Sequence, residues 1–135
     1  MTHHAGSCLC GTLRYMVTDK PARVGLCHCR HCQQQTGSPF AMICLIPETA
    51  VKIRGHFETF ETTGDNGRKV QRHFCPNCGS GVFSHAESLP GLVIIKGGSF
   101  DDTSWIVPEF NLWCDSAQRW LTPPELGASF PKNGI

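Results

Sequence analysis

Apolar residues recur at every second position along much of this chain, with the period that belongs to β-strands. Segment 12–17 places Leu13, Tyr15 and Val17 on one face, and segment 69–74 alternates in the same way. Because successive side chains of a strand point to opposite faces, both segments are predicted to be half-buried strands. Further strands are predicted at residues 23–26, 51–54, 56–62, 81–85, 92–96, 109–114 and 118–121.

A continuous apolar run from Phe40 to Ile46 is closed by Pro47 and predicts a fully buried strand that contains Cys44. The turn sequence at 64–67 predicts a hairpin between the strands on either side of it. Residues 33–37, three glutamines followed by Thr-Gly, predict one or two helical turns with a polar face.

Breaks and loops are predicted at Lys20-Pro21 and at residues 97–102, and the prolines from Pro123 onwards predict an irregular tail. The chain has no long amphipathic helix pattern, no repeat and no linker. We therefore expect an all-β fold in which residues 1–135 form a single domain.

Composition narrows the functional class. Of the 135 residues, 40% are hydrophobic and 17% are charged, as in soluble globular proteins. The formal net charge of +1 gives no preference for nucleic acid or for an anionic membrane. No apolar run reaches the roughly 20 residues that span a bilayer, and residues 1–4 show no signal peptide. We expect no nucleic-acid or membrane partner; a homodimer is one assembly that the sequence permits.

The cysteine pattern indicates metal binding. The chain has nine cysteines, an odd number, and seven of them fall in C-x-C or C-x-x-C groups. Neighbours this close form strained disulfides but chelate metal readily. Bound zinc in a reducing cytoplasm is therefore the preferred interpretation.

Two cysteine pairs predict a structural zinc site. Cys8 and Cys10 are followed by Gly11, and Cys75 and Cys78 are followed by Gly79. Turns that present two thiolates to zinc need a positive φ, which glycine adopts easily. Four thiolates fill a tetrahedral site, so this quartet would stabilise the fold without reacting.

Three more cysteines predict a second site with one position left over. Cys27, Cys29 and Cys32 can converge on one ion, and the fourth ligand is then water, a substrate atom or a nearby side chain. Cys44 and Cys114 lie in predicted apolar strands and are expected to be small buried hydrophobes. The side chains that could close the site are Cys44, Cys114, His28, His31 and His73.

An open site of three thiolates suits a sulfur substrate. With Zn²⁺ it carries a charge of −1, which makes it a weak activator of water but leaves it able to hold an incoming thiol as thiolate. The charge then becomes −2, and Arg30, His28 and His31 are candidates to offset it. Elsewhere, Asp101 and Asp102 are predicted turn formers. Core or pocket-wall positions are predicted for Trp105, Trp113 and Trp120.

These motifs together resemble the glutathione-dependent formaldehyde-activating enzymes, a family whose domain is shared with centromere protein V. The resemblance rests on the segments Cys8-Leu9-Cys10-Gly11, Cys27-His28-Cys29-Arg30-His31-Cys32, Phe74 to Ser80, Gly98 to Asp102 and Pro108 to Trp120.

The resemblance implies a β-tent fold of small antiparallel sheets around two zinc ions. It implies a structural zinc held by Cys8, Cys10, Cys75 and Cys78, and a catalytic zinc held by Cys27, Cys29 and Cys32. The implied activity is that of a carbon–sulfur lyase of the S-(hydroxymethyl)glutathione synthase type. Its substrates would be glutathione or another thiol, with formaldehyde or a related small aldehyde.

This chain departs from the family in being short and in carrying Asn111 where related sequences often have a histidine. Two other hypotheses stand beside the enzyme: a non-catalytic binding module stabilised by zinc, and a redox switch in which Cys29 and Cys32 form a disulfide.

Overall fold

The computed structural model describes residues 3–18, 23–64 and 66–134. Its single described α-helix, α1, spans Arg30–Thr36, and 3₁₀ turns lie at Glu48–Ala50, Gly97–Ser99 and Cys114–Ser116. The strands are β1 (His4–Ser7), β2 (Arg14–Val17), β3 (Arg23–Cys27), β4 (Ala41–Pro47), β5 (Val51–Arg54), β6 (Glu58–Thr63), β7 (Lys69–Phe74), β8 (Gly81–Ala86), β9 (Leu92–Lys96), β10 (Phe110–Leu112) and β11 (Ala128–Ser129).

The strands form two sheets. The smaller one is antiparallel, in the order β1-β2-β5. The larger one has eight strands in the order β11-β10-β3-β4-β9-β8-β7-β6. The mainly β fold predicted from the sequence is confirmed.

The large sheet is mixed, although only antiparallel pairing was predicted. From β3 to β6 every pair is antiparallel, whereas β10 lies parallel to both β3 and β11. The long connection from β9 to β10 returns the chain to the end of the sheet where β3 begins, so β10 runs in the same direction as β3. This pairing brings residues 110–112 beside the end of β3, where the three-cysteine segment starts.

The large sheet separates two hydrophobic cores. Alternate side chains of β4 point to opposite faces: Cys44 and Ile46 pack against the three-stranded sheet, while Ile43 and Leu45 pack on the side of α1 and β10. The strand is buried on both faces, as its continuous apolar run predicts. The first core contains Cys8 and Cys75, and the second contains Cys27 and Cys32.

Strands β3 and β10 approach closely at Gly25. Its Cα lies opposite that of Phe110 in the parallel pair, and a Cβ at this position would overlap the Phe110 ring. Phe110 is fully buried. The absence of a side chain at residue 25 therefore leaves room for the Phe110 ring beside β3.

Several predicted elements differ from the structure. Residues 118–121 were predicted to be a strand but form a turn closed by the bond from Leu121 N to Gln118 O, 3.0 Å. Strand β1 was not predicted, because its sequence His-Ala-Gly-Ser has no apolar alternation. The predicted tail contains β11, and the predicted loop at 97–102 begins with a 3₁₀ turn.

The hairpin predicted around residues 64–67 is confirmed by the pairing of β6 with β7. Asp65 within that turn lies outside the described residues, as does the break predicted at Lys20-Pro21. No helix in the described ranges is long and apolar enough to cross a membrane.

Candidate metal centre

The four sulfurs of Cys8, Cys10, Cys75 and Cys78 converge, and all lie within 4.8 Å of one another. The Cys10 sulfur is 3.6 Å from that of Cys8 and 3.7 Å from that of Cys75. Zinc–sulfur bonds of about 2.3 Å in a tetrahedron place neighbouring sulfurs about 3.8 Å apart. The quartet therefore has the dimensions and the donor chemistry of a four-thiolate metal site.

Hydrogen-bond donors surround these sulfurs. The Thr12 hydroxyl lies 3.1 Å from the Cys10 sulfur, and the Asn77 amide donates to it at 3.2 Å. These two bonds lower the pKa of Cys10 to about 5, and the bond with Thr12 has the larger effect. The backbone N–H of Leu13 donates to the Cys8 sulfur at 3.3 Å. The surroundings of the Cys10 sulfur thus favour its thiolate form.

Both turns of the quartet have the predicted shape. Gly11 and Gly79 have φ values of 82° and 78°, the left-handed region that glycine enters without steric cost. A further bond, from the Leu9 N–H to the Ser80 hydroxyl at 3.1 Å, links the two turns directly. The quartet therefore clips the beginning of the chain to the connection between β7 and β8.

The three remaining clustered sulfurs come from one short segment. Cys27 ends β3, Cys29 is the N-cap of α1, and Cys32 lies in its first turn, where its N–H donates to the Cys29 sulfur at 3.3 Å. The three sulfurs lie within 4.8 Å of one another and could hold a metal ion. No fourth cysteine, histidine or carboxylate joins this trio among the residues that the structure describes.

The side chains predicted as possible fourth ligands are mostly engaged elsewhere. The His28 ring is bonded to Asn111, and both nitrogens of His73 are bonded, to Thr59 and to His85. Cys44 is buried in the opposite core, as predicted. Burial raises its pKa to about 12.

The prediction that Cys114 lies buried in an apolar strand is wrong. β10 ends at Leu112, and the chain turns at Trp113, whose φ of 59° is the only positive value recorded for a non-glycine residue in the described ranges. Cys114 then begins a 3₁₀ turn and is partly exposed.

The trio opens onto a cavity of about 240 Å³. Its other walls come from β7, β8 and β9 and from the segment after β10. The lining residues include His31, Ile43, Val70, Ser84, Ile94, Leu112, Trp113, Ser116 and Asn133. The trio is therefore accessible to a small molecule.

Two cations that the sequence did not single out also line this cavity. Arg72 on β7 is 8% exposed, and Lys96 is on β9; neither has an acidic partner within 4.0 Å in the described chain. Burial lowers the pKa of Lys96, and the charge of Cys32 opposes that effect. Both cations are distant in sequence from the trio, and only the pairing of β7, β8 and β9 brings them to it.

The three thiols of the trio differ in their pKa values. Hydrogen bonds from Cys27 and Cys32 lower the pKa of Cys29 to about 2, and Arg72 adds to this effect. The same bond to Cys29 raises the pKa of Cys27. These hydrogen bonds therefore favour the thiolate form of Cys29, at the N-terminus of α1, over that of Cys27.

The three cations predicted to offset this charge have different roles. His28 is fully buried against Asn111, outside the cavity lining. Arg30 and His31 do line the cavity, but Arg30 donates from Nη1 to the Gln33 side-chain oxygen at 2.7 Å.

Gln33 was predicted to lie on a polar face but is buried and connects three segments. Its side-chain nitrogen donates to the carbonyls of His28 at 2.7 Å and Ser116 at 2.8 Å, and its oxygen accepts from Gln118 at 2.6 Å. It thereby fixes the trio's segment against the chain that follows β10.

The structure also gives the positions of the aromatic and acidic residues for which the sequence made predictions. Trp113 lines the cavity and Trp105 packs against the first core, as predicted. Trp120 is 72% exposed and does not line this cavity, so its predicted position in a core or pocket wall is wrong. Asp102 accepts from the N–H and the hydroxyl of Ser104, which confirms it as a turn former.

Comparison with known proteins gives consistent results. A sequence profile of the glutathione-dependent formaldehyde-activating enzyme family matches residues 3–116. The chain is 27% identical over 108 residues to a protein of Penicillium rubens and 27% identical over 118 residues to one of Colletotrichum graminicola. Both proteins are named, provisionally, as glutathione-dependent formaldehyde-activating enzymes.

These alignments cover 76% and 78% of this chain but 56% and 61% of the two relatives, so the chain spans just over half of their length. A crystal structure of a Rhodobacter sphaeroides protein shares the fold, with a TM-score of 0.58 and 17% identity over 77% of this chain and 91% of that one. Because the profile match extends over most of the sequence and includes both cysteine clusters, this chain belongs to the glutathione-dependent formaldehyde-activating enzyme family.

Proposed function

We propose that the cavity beside Cys27, Cys29 and Cys32 joins a thiol to formaldehyde or a related small aldehyde, as a carbon–sulfur lyase of the S-(hydroxymethyl)glutathione synthase type. The observation that carries the proposal is the convergence of three sulfurs on a cavity wall with no fourth ligand among the described residues. A site closed by four side chains would leave no place for a reactant.

The proposal assigns zinc to both clusters. Thiolate-rich, nearly tetrahedral donor sets favour zinc among the common divalent ions. The quartet would hold a structural ion that stabilises the folded state of residues 1–135 as one domain. At the trio, a bound zinc ion supplies a Lewis acid that keeps a thiol in its thiolate form or polarises a carbonyl oxygen.

In the proposed reaction, R–SH and H₂C=O give R–S–CH₂–OH. The sulfur–carbon bond forms, the carbonyl double bond becomes a single bond, and the thiol proton ends on the oxygen. The positive charge around the cavity, to which Arg30, Arg72 and Lys96 contribute, favours the negative charge as it moves from sulfur to oxygen. Ile43, Ile94 and Leu112 line the same cavity and limit its water content.

The reaction requires reduced cysteines, which agrees with the expected cytoplasmic location. Its direct test is exchange spectroscopy by NMR on glutathione, formaldehyde and protein carrying two zinc ions. We expect exchange faster than the spontaneous rate, and we expect Cys29→Ser to abolish the acceleration while Cys114→Ser retains it. Exchange at the spontaneous rate with both sites occupied would favour the zinc-stabilised binding module instead.

A further inference from the structure

Several basic side chains line the cavity beside the trio. Arg30, Arg72 and Lys96 all line it, and no aspartate or glutamate does so within the described ranges. On the proposed function, three thiolates and Zn²⁺ contribute −1, so Arg30, Arg72 and Lys96 give the described lining a surplus of positive charge before a substrate enters.

A hydroxyl without a partner lies beside two of these cations. Ser84 is 2% exposed, lines the cavity, and has no hydrogen-bond partner for its Oγ among the described residues. An unsatisfied buried hydroxyl costs about 1–3 kcal/mol, so its retention calls for an explanation.

The register of the sheet places the three groups together. Arg72 on β7 lies directly opposite Ser84 on β8, and Ser84 lies opposite Ile94 on β9. Lys96 is two residues beyond Ile94 and therefore points to the same face of the sheet. One guanidinium, one hydroxyl and one ammonium thus form a patch of hydrogen-bond donors on the wall of the cavity.

We propose that Arg72, Ser84 and Lys96 bind a carboxylate of the thiol substrate, so that the substrate class is a thiol that carries a carboxylate. A planar guanidinium pairs with a carboxylate in a bidentate manner, and the hydroxyl and the ammonium supply further donors. A thiolate and a carboxylate are both anions, so a thiol that carries a carboxylate suits the surplus of positive charge among the described lining residues. This inference rests on the proposed function for the position of the thiolate.

The volume limits what enters. A cavity of about 240 Å³ is smaller than the roughly 300–1,000 Å³ of sites that enclose drug-sized ligands. A small mercapto acid fits within it, whereas glutathione would place its cysteine and one carboxylate arm inside and leave the remainder at the mouth.

Equilibrium binding tests the subsite without any turnover. Isothermal titration calorimetry on zinc-loaded protein compares 3-mercaptopropionate with 3-mercaptopropan-1-ol, which has a hydroxymethyl group in place of the carboxylate. We expect the acid to bind at least about ten-fold more tightly, because hydrogen bonds to charged groups contribute about 1.5–3 kcal/mol. Arg72→Met and Lys96→Met should reduce this preference to about two-fold or less.

Two further variants separate binding from folding. Ser84→Ala should weaken binding of the acid while thermal stability stays the same or rises, because the substitution removes an unsatisfied polar atom. Arg54→Met, at an exposed arginine on β5 in the other sheet, should leave the preference intact. Equal binding of acid and alcohol by the wild type, or a preference that survives Arg72→Met and Lys96→Met, would overturn the subsite.

A second arm identifies the source of the carboxylate. The affinity of glutathione is compared with that of its glycine-ethyl ester, in the wild type and in Arg72→Met. If esterification weakens binding to the wild type but not to Arg72→Met, the glycine carboxylate of the tripeptide binds this patch. An equal affinity of the two, with the mercaptopropionate preference retained, excludes the glycine carboxylate and assigns the patch to the γ-glutamyl carboxylate of glutathione or to a small mercapto acid. If the acid preference holds but formaldehyde exchange is not accelerated, the proposed reaction fails and the subsite stands; the reverse result removes the subsite alone.

Discussion

His28 and Asn111 form a hydrogen bond of 3.0 Å between Nε2 and Oδ1, and both side chains are fully buried. The Asn111 amide nitrogen donates to the carbonyl of Pro124 at 2.9 Å and to the hydroxyl of Ser129 at 3.2 Å. These two acceptors fix which end of the amide faces His28, so the imidazole hydrogen must lie on Nε2. The pair thereby holds the loop between two cysteines of the trio against the closing strand.

We predict that Asn111→Ala lowers the free energy of unfolding by about 2–4 kcal/mol, because it leaves buried polar atoms of His28 and Pro124 without partners. Denaturant unfolding measures the change, and the metal content of the folded protein should fall at the trio. Ser129→Ala is the control, since it removes one long bond and should cost less than about 1 kcal/mol. A loss of under about 0.5 kcal/mol for Asn111→Ala, the range typical of surface substitutions, would contradict the prediction.

The two cysteine clusters should respond differently to loss of one ligand. Cys75 is fully buried in the core that the quartet closes, whereas Cys29 is partly exposed at the cavity. We predict that Cys75→Ser loses one zinc equivalent together with much of its thermal stability, because metal binding there is part of folding. Cys29→Ser should lose the other equivalent with a smaller change in melting temperature.

Metal analysis and scanning calorimetry on the same samples make this comparison, with Cys114→Ser as the variant that keeps both ions. Equal destabilisation by Cys75→Ser and Cys29→Ser would show that the trio also has a structural role.

Tyr15 gives a spectroscopic measure of the first core. It is the chain's single tyrosine, is buried, and its hydroxyl lies 2.6 Å from that of Ser99. Burial raises its pKa above the ordinary value of 10. Because the folded state holds this proton more tightly than the unfolded state, Tyr15 contributes stability below pH 10 that is lost as the pH rises further.

Absorbance at 295 nm should therefore show no tyrosinate at pH 10 in the native protein but half-ionisation near that pH in urea. Tyr15→Phe keeps the ring against Phe100 and should remove this contribution to alkaline unfolding. A native titration with its midpoint at pH 10 would show that the hydroxyl is solvated.

Because β3 and β10 approach closely, we predict that adding one methyl group at residue 25 strongly lowers the stability of the protein. Gly25→Ala would drive a Cβ into the buried Phe110 ring and should destabilise the protein by about 1–3 kcal/mol. Gly98→Ala is the matched control, because a Cβ there meets no atom within 4 Å. Thermal unfolding of the two variants gives the comparison. Similar melting temperatures would contradict the prediction and would mean that β10 moves to accommodate the added Cβ.

Sequence reasoning succeeded where the signal is local. The alternation in β7, the apolar run of β4 and the Cys-Gly turns each depend on a few adjacent residues, and the structure contains all of them. β1 gave no such signal, since four residues with one small apolar side chain become a strand only through pairing with β2. The turn at 118–121 shows the converse, an apolar pattern that finds no neighbouring strand.

The chemistry of the cavity wall could not be predicted in the same way. Arg72, Ser84 and Lys96 become neighbours only through the pairing of three strands, and a shift of one residue in register would turn any of them to the opposite core. Gln33 likewise resembles a solvent-facing helix residue until the chain after β10 folds over it.

The eight-stranded sheet with a different core on each face has a consequence for how such a protein diversifies. Side chains on the cavity face of β7, β8 and β9 can be exchanged without altering the tightly packed opposite face, where the quartet fastens the chain. The same fold can thus accommodate different small substrates through substitution of a few residues on one face of three neighbouring strands.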